Sequence, residues 1–225
     1  MTALAGMGLY TLSQASSLIG VEAKTIGRWL FGRAKTKKLW TPEPALVGVA
    51  EAISFNDMLE LRVVYELHKE GISLQAIRLA IQCCEEILGK YPLISPSICT
   101  DGKNVFLRAL ESDENNDALI DLGRKQNTIC EVIIPSLKKG VIYEKNKAAR
   151  WLPDPDDNQI LIDPQISFGK PIVLPSKMPV AVLVSSFAEE NENYETVARL
   201  YGVSVDEVRR AIIFNKRMSE GALLC

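Results

Sequence analysis

Lys24, Thr25 and Arg28 stand at positions i, i+1 and i+4 of "EAKTIGRWL", a spacing that gathers two cations and a hydroxyl on one side of a helix. Such side chains contact phosphate oxygens and base edges, and they do so without a catalytic group. Arg33, Lys35, Lys37 and Lys38 follow, so residues 1–40 hold six bases against a single acid, Glu22. Residues 111–121 reverse this balance with Glu111, Asp113, Glu114, Asp117 and Asp121. The net charge of −2 therefore conceals a local basic field suited to phosphate contact. A plain solvated surface is the competing reading of any such cluster.

Groups for bond-making chemistry are sparse. His68 is the single histidine, at the predicted end of a helix, so a histidine triad or metal cluster has at most one member. Cys83, Cys84, Cys99, Cys130 and Cys225 are odd in number and contain no CxxC pair, which favours free thiols in a reducing compartment. "GKP" at 169–171 lacks the glycine spacing of a phosphate-binding loop. No enzymatic activity, cofactor or metal is expected. No apolar run nears the roughly 20 residues that span a bilayer, and the start has no basic leader, so a cytoplasmic protein with no membrane partner is expected.

The elements that must position the basic residues read as helix, turn, helix. Thr11 can cap a helix to about Ile19, Gly20 stops it, and Ala23–Leu30 forms the second helix with Ile26, Trp29 and Leu30 turned inward. The same unit recurs in "VARLYGVSVDEVRRAI" at 197–212. With Gly20 on Gly202, Leu18 falls on Leu200, Val21 on Val203, Ile26 on Val208, Leu30 on Ile212 and Arg28 on Arg210. Lys24 and Thr25, however, correspond to Asp206 and Glu207, whose carboxylates repel phosphate and stabilise their own helix N-terminus. The second copy is therefore expected to pack or dimerise.

Between the copies, "KLWTPEP" and "AEAISFND" suggest two strands around a tip at Pro42 and Pro44. Ser54 or Asn56 caps a helix to His68, and Ser73 caps another to about Gly89. Asp101-Gly102 between alternating apolar runs predicts a hairpin. "NTICEVIIPSLKKG" suggests a short helix, "VIYEKN" and "ARWL" strands, and Pro153–Asp157 a polar linker. The expected class is α+β, mainly α, with units at 1–90, 91–157 and 158–225.

The order "YTLSQASSLIGV…TIGRWL", wing, "ISFNDMLELRVVYELHKEGISLQAIRLAI" resembles the MerR-type winged helix-turn-helix domain over about the first 90 residues. The resemblance implies that Lys24, Thr25 and Arg28 enter the DNA major groove and that Lys35, Lys37 and Lys38 touch flanking backbone, with Arg33 a further expected DNA-binding residue. MerR regulators continue into a long dimerisation helix, whereas Pro92 and Pro96 interrupt this chain. The stretch from Ile160 resembles a small bacterial domain family found in antitoxins paired with PIN-domain ribonucleases. It keeps Asp163-Pro164, Gly169-Lys170-Pro171 and Pro179-Val180, with Pro175-Ser176-Lys177-Met178 where Gly-Thr-Arg-Ile is usual. The combination is similar to a VapB-type antitoxin of a type II toxin–antitoxin system. It implies three partners: double-stranded operator DNA, a PIN-domain ribonuclease toxin and a second copy of the chain. The alternative is a stand-alone MerR-like regulator with a ligand-sensing C-terminal half. With no MerR-type helix to join two DNA-reading units, the C-terminal segment is expected to dimerise, and truncation before Ile160 is expected to leave a folded monomer with much weaker operator binding.

Overall fold

The computed structural model describes residues 6–32, 37–111, 134, 138–154 and 157–220. The chain is α+β and mainly helical. Strand β1 (Tyr10–Thr11) leads into helix α1 (Leu12–Ile19), where Thr11 and Gln14 form a reciprocal capping box. Gly20 closes α1 in the left-handed conformation (φ 63°), its N–H donating to the Ser16 carbonyl at 2.8 Å. Helix α2 (Ala23–Phe31) follows and buries Ile26, Trp29 and Leu30, as its apolar spacing requires.

Residues 42–53 depart from expectation. Glu43–Leu46 is a short helix, α3, with Pro44 in its first turn. Strand β2 (Ala52–Ile53) pairs antiparallel with β1, Tyr10 opposite Ile53, rather than with the 37–44 segment. Proline cannot donate to a ladder and its fixed φ suits a helix start, so the Pro42–Pro44 tip folds as helix instead of hairpin.

Helix α4 (Phe55–Lys69) is capped by Ser54 in a second capping box with Asp57. Asp57 is fully buried. Its Oδ1 accepts from the Trp40 indole at 2.8 Å and the Tyr91 hydroxyl at 3.0 Å. Its Oδ2 accepts from the backbone N–H of Glu43 (3.0 Å) and of Ser54 (2.9 Å). One turn on, the Glu60 oxygens accept the N–H groups of Leu93 and Ile94, each at 3.0 Å, in the 3₁₀ turn Pro92–Ile94. Helix α5 (Leu74–Leu88) starts at the Ser73 cap and buries Ala76, Ile77, Ala80, Ile81 and Cys84. Of the adjacent thiols, Cys84 packs in the core while Cys83 is exposed.

The predicted hairpin at Asp101-Gly102 is absent. The N–H groups of Thr100, Asp101 and Gly102 all turn back to the Ser97 carbonyl, and helix α6 (Lys103–Glu111) follows. Phe106 and Ala109 are buried at helical spacing, a period that the short apolar runs did not separate from alternation. A Cβ at Gly102 would stand 2.7 Å from Leu88 Cδ1, so glycine here serves close packing of α6 on α5. Most of the short helix expected in 127–140 lies outside the described residues. Strands β3 (Val141–Glu144) and β4 (Lys147–Trp151) fall on the two stretches expected as strands and pair antiparallel.

The C-terminal segment carries β5 (Ile160–Leu161), β6 (Ile172–Val173) and β7 (Met178–Pro179) in one antiparallel sheet of that order. Helices α7 (Val180–Glu189), α8 (Tyr194–Tyr201) and α9 (Val205–Glu220) complete it. Trp151 and Ile162 exchange backbone hydrogen bonds at 2.9 and 2.8 Å, joining β4 to this sheet. The Tyr10 hydroxyl, buried, donates to the Gly169 carbonyl at 2.7 Å, and the Leu9 N–H donates to Phe168. The buried apolar side chains from Tyr10 to Phe214 form one connected core. A chain ending before Ile160 would lack Ile160, Ile162 and Val173 of that core and would leave Tyr10 and Trp151 less covered. Within the stretch expected as a polar linker, Asp154 is buried and bound through both oxygens by Arg217 Nη1 at 2.8 and 2.9 Å, while Pro155 and Asp156 lie outside the described residues.

Asp57→Ala should leave the Trp40 indole and the N–H groups of Glu43 and Ser54 without their acceptor, while the Tyr91 hydroxyl keeps Glu43 Oε2 at 3.3 Å. It should cost about 3 kcal/mol in urea unfolding. Burial pushes the Glu60 carboxyl up to about 8, outweighing the two N–H groups it accepts. The unfolded chain gives up that proton near about pH 4.3. The folded protein thus holds a proton the unfolded one lacks, and this contribution to stability is full below pH 4.3 and lost as pH rises through about 8. Unfolding free energy should fall between pH 5 and pH 8 more steeply in wild type than in Glu60→Gln, by up to about 1.4 kcal/mol per pH unit.

Candidate nucleic-acid interface

The first helix-turn-helix is built so that its apolar side fixes the angle of α2 and its polar side stays in water. Trp29 is the main anchor. Its ring lies 6.5 Å from Tyr65 and 5.9 Å, edge to face, from His68, both on α4. His68 also bonds the Ile72 carbonyl through Nδ1 at 3.0 Å, so the single histidine has a structural place beneath α2. Gly27 faces α1, where an added Cβ would come within 3.2 Å of Leu12 Cδ1. The close approach of α1 and α2 leaves Lys24 and Arg28 exposed and Thr25 half-buried. Arg28 Nη2 reaches Thr25 Oγ1 at 3.5 Å, a long contact that leaves the guanidinium unneutralised.

Lys37 and Lys38 are exposed. They stand beside α2 because the Leu39 N–H donates to the Trp29 carbonyl at 2.8 Å and the Leu39 side chain is buried. From the other side, Arg78 of α5 donates to the carbonyls of Lys38 (Nε, 2.9 Å) and Lys37 (Nη2, 2.6 Å). Sequence reasoning did not single out Arg78, which lies 40 residues from the loop that it holds. Of the predicted contact residues, Lys24, Thr25, Arg28, Lys37 and Lys38 are thus carried by α2 and the loop tied to its end. Arg33 and Lys35 lie outside the described residues.

The second copy has the same local geometry and a different surface. Gly202 is left-handed at φ 65° and its N–H donates to Ala198, matching Gly20. Yet Leu200, the counterpart of buried Leu18, is 59% exposed. Arg210, the counterpart of Arg28, binds Asp206 at 2.8 Å and Asp157 at 2.6 Å, and these carboxylates raise its pKa further. Glu207 turns inward and accepts from the N–H groups of Ser176 (3.0 Å) and Ser204 (2.8 Å) and from the Ser204 hydroxyl. Burial pushes its carboxyl up, but the hydrogen bonds from Ser176 and Ser204 win and hold it below the usual range. The cation at this position of the second copy is spent inside the chain.

No protein-family model matches the chain. It is 24% identical over 221 residues to the Mycobacterium tuberculosis protein named "Putative antitoxin VapB45", with 91% of this chain and 92% of that protein covered. The crystal structure of Rv2018 from Mycobacterium tuberculosis matches with a TM-score of 0.66 at 24% identity, over 90% of this chain and 96% of its own. The latter likeness is one of fold. Among the described residues no helix is long and apolar enough to cross a membrane.

Arg28→Ala should lower affinity for a cognate duplex roughly tenfold or more, the worth of about 1–3 kcal/mol for a base contact. Arg210→Ala should leave affinity unchanged while lowering the melting temperature slightly. A mobility-shift titration beside a thermal scan checks both, and the reverse pattern would show that the two copies have been assigned the wrong way round.

Proposed function

We propose that this chain is the DNA-binding antitoxin of a type II toxin–antitoxin pair. It acts as a cytoplasmic homodimer without enzymatic activity, represses its own operon, and neutralises a PIN-domain ribonuclease toxin by direct contact. The observation that carries this reading is the end-to-end similarity to a protein named as a VapB antitoxin, over 91% of this chain. The unneutralised cations on α2 support the DNA-binding part of it.

In this reading residues 1–90 are a MerR-like DNA-binding unit. Lys24, Thr25 and Arg28 meet the major groove, and Arg33, Lys35, Lys37 and Lys38 meet flanking phosphates. Residues 91–157 connect, and 158–225 dimerise. Recognition helices normally act in pairs about one helical turn apart, so a dimer is needed. Leu200 and Ile213, 59% and 53% exposed, supply apolar area for it on the C-terminal segment.

Co-expression with the adjacent open reading frame should yield a stable complex in which the partner's ribonuclease activity is silent and returns on proteolysis of this chain. The complex should also shift a duplex carrying the upstream region of the operon. Failure to co-purify with any ribonuclease, together with a duplex shift that depends on an added small molecule, would favour the stand-alone regulator.

A further inference from the structure

We infer that Arg78 is a positioning residue for nucleic-acid contact: its guanidinium fork grips two successive carbonyls and so fixes the Lys37-Lys38 loop beside the recognition helix. This rests on the reading of the first helix-turn-helix as the DNA-contacting unit.

The geometry is a two-point clamp. Nε of Arg78 donates to the Lys38 carbonyl at 2.9 Å and Nη2 to the Lys37 carbonyl at 2.6 Å. The planar guanidinium presents these donors in a fixed fork, which the single ammonium of lysine cannot reproduce. Arg78 itself has a firm base. Its helix is capped by Ser73, whose hydroxyl accepts from Ala76 at 3.0 Å, and the neighbours Ala76 and Ile77 are fully buried. On the other side of the loop, Leu39 is buried and bonded to the Trp29 carbonyl. The two-lysine stretch is therefore suspended between α2 and α5, with both lysine side chains left in solvent.

The choice of acceptor matters as much as the geometry. Arg150, Arg210 and Arg217 are bound by the carboxylates of Glu144, Asp157 with Asp206, and Asp154, which cancel their charge. Arg78 is bound by neutral carbonyls, so its positive charge remains. Among the described residues the groove around it is lined by Lys37, Gln75, Leu79 and Gln82, without a carboxylate. Gln75, Arg78 and Gln82 lie at i, i+3 and i+7 on α5, one side of the helix. A clamp that neutralised the lysines it positions would defeat a phosphate contact. This one does not.

Two measurements test the assignment on the full chain. In the absence of DNA, tryptic scission after Lys37 and Lys38, followed by mass spectrometry, should quicken about tenfold in Arg78→Ala, because local opening governs cleavage. Arg78→Lys, which keeps the charge and loses the fork, should quicken it as well. Scission at the wild-type rate in both variants would overturn the clamp, whether or not the protein binds DNA. In mobility-shift titrations, Arg78→Ala should weaken duplex binding about tenfold, and this loss should shrink below about twofold when Lys37 and Lys38 are already alanine. Losses that add in the triple variant would place Arg78 itself on the phosphates and overturn its role as a positioner. A wild-type chain that binds no duplex would sink the DNA reading alone, since the proteolysis result stands apart from it.

Discussion

The N-terminal half depends on one buried carboxylate. Asp57 has no cation paired with it among the described residues and is held by four donors, the indole of Trp40, the hydroxyl of Tyr91 and the backbone N–H groups of Glu43 and Ser54. Its seat at the start of α4 adds the favourable end of the helix dipole. These donors come from four separate places in the chain, so satisfying this carboxylate brings together the segment after α2, the short α3, the cap of α4 and the residue before the 3₁₀ turn. Tyr91 takes a left-handed backbone (φ 62°) to deliver its hydroxyl, a strained conformation that the surrounding hydrogen bonds sustain. Because α4 also carries Tyr65 and His68 beneath Trp29, the angle of the basic helix α2 follows from how α4 is seated.

Two copies of one local motif end in different surroundings. The glycine stop and the eight-residue first helix are governed by neighbours in sequence and agree between Gly20 and Gly202. The second helices differ, nine residues behind an uncapped Glu22 against sixteen behind Ser204, whose hydroxyl accepts from the Glu207 N–H. Burial and charge pairing are governed by what the rest of the chain brings up. Around the first copy the neighbours are apolar and the outer face keeps its cations. Around the second, Asp157 and Ser176 arrive and consume the arginine and the glutamate, while Leu200 and Tyr201 stay in solvent. The chemistry of the motif is therefore decided beyond the motif.

The halves are joined through small, exacting contacts. A Cβ at Gly169 would stand 2.3 Å from the Tyr10 hydroxyl, so the Gly-Lys-Pro turn meets β1 only because glycine occupies that position. Burial raises the Tyr10 hydroxyl pKa, and the neutral phenol is the donor to Gly169. Arg62 of α4 lies 5.1 Å over the Trp151 ring, adding a cation–π contact between α4 and β4. The bonds from Tyr10 and from Trp151 to Ile162 make the C-terminal segment part of the fold that holds the basic helix.

Much of this was legible in the residues alone: both glycine-stopped helix pairs, the caps at Thr11 and Ser73, a cap at Ser54 or Asn56, the two strands β3 and β4, the inward face of α2 and the charge contrast between Lys24-Thr25 and Asp206-Glu207. Each is set by residues within a turn or two of one another, where periodicity and side-chain type act directly on the backbone. The sequence was misleading where short-range preference was balanced. Pro42–Pro44 fits a strand tip or a helix start, and the trapping of Trp40 and the Glu43 N–H by Asp57 accompanies the helix. Asp101-Gly102 fits a turn, but packing against Leu88 and Ile98 accompanies a helix start. Acidic Asp154 and Asp157 read as a linker until Arg217 and Arg210, more than 50 residues away, met them. The sequence by itself determined the local elements and the residue types that each motif offers on its outer face, Lys24 and Thr25 in one and Asp206 and Glu207 in the other. Tertiary structure alone decided which charges stay free and which residue, Arg78, holds the lysines in place, because those outcomes depend on groups distant in sequence whose hydrogen bonds form only when the chain has folded.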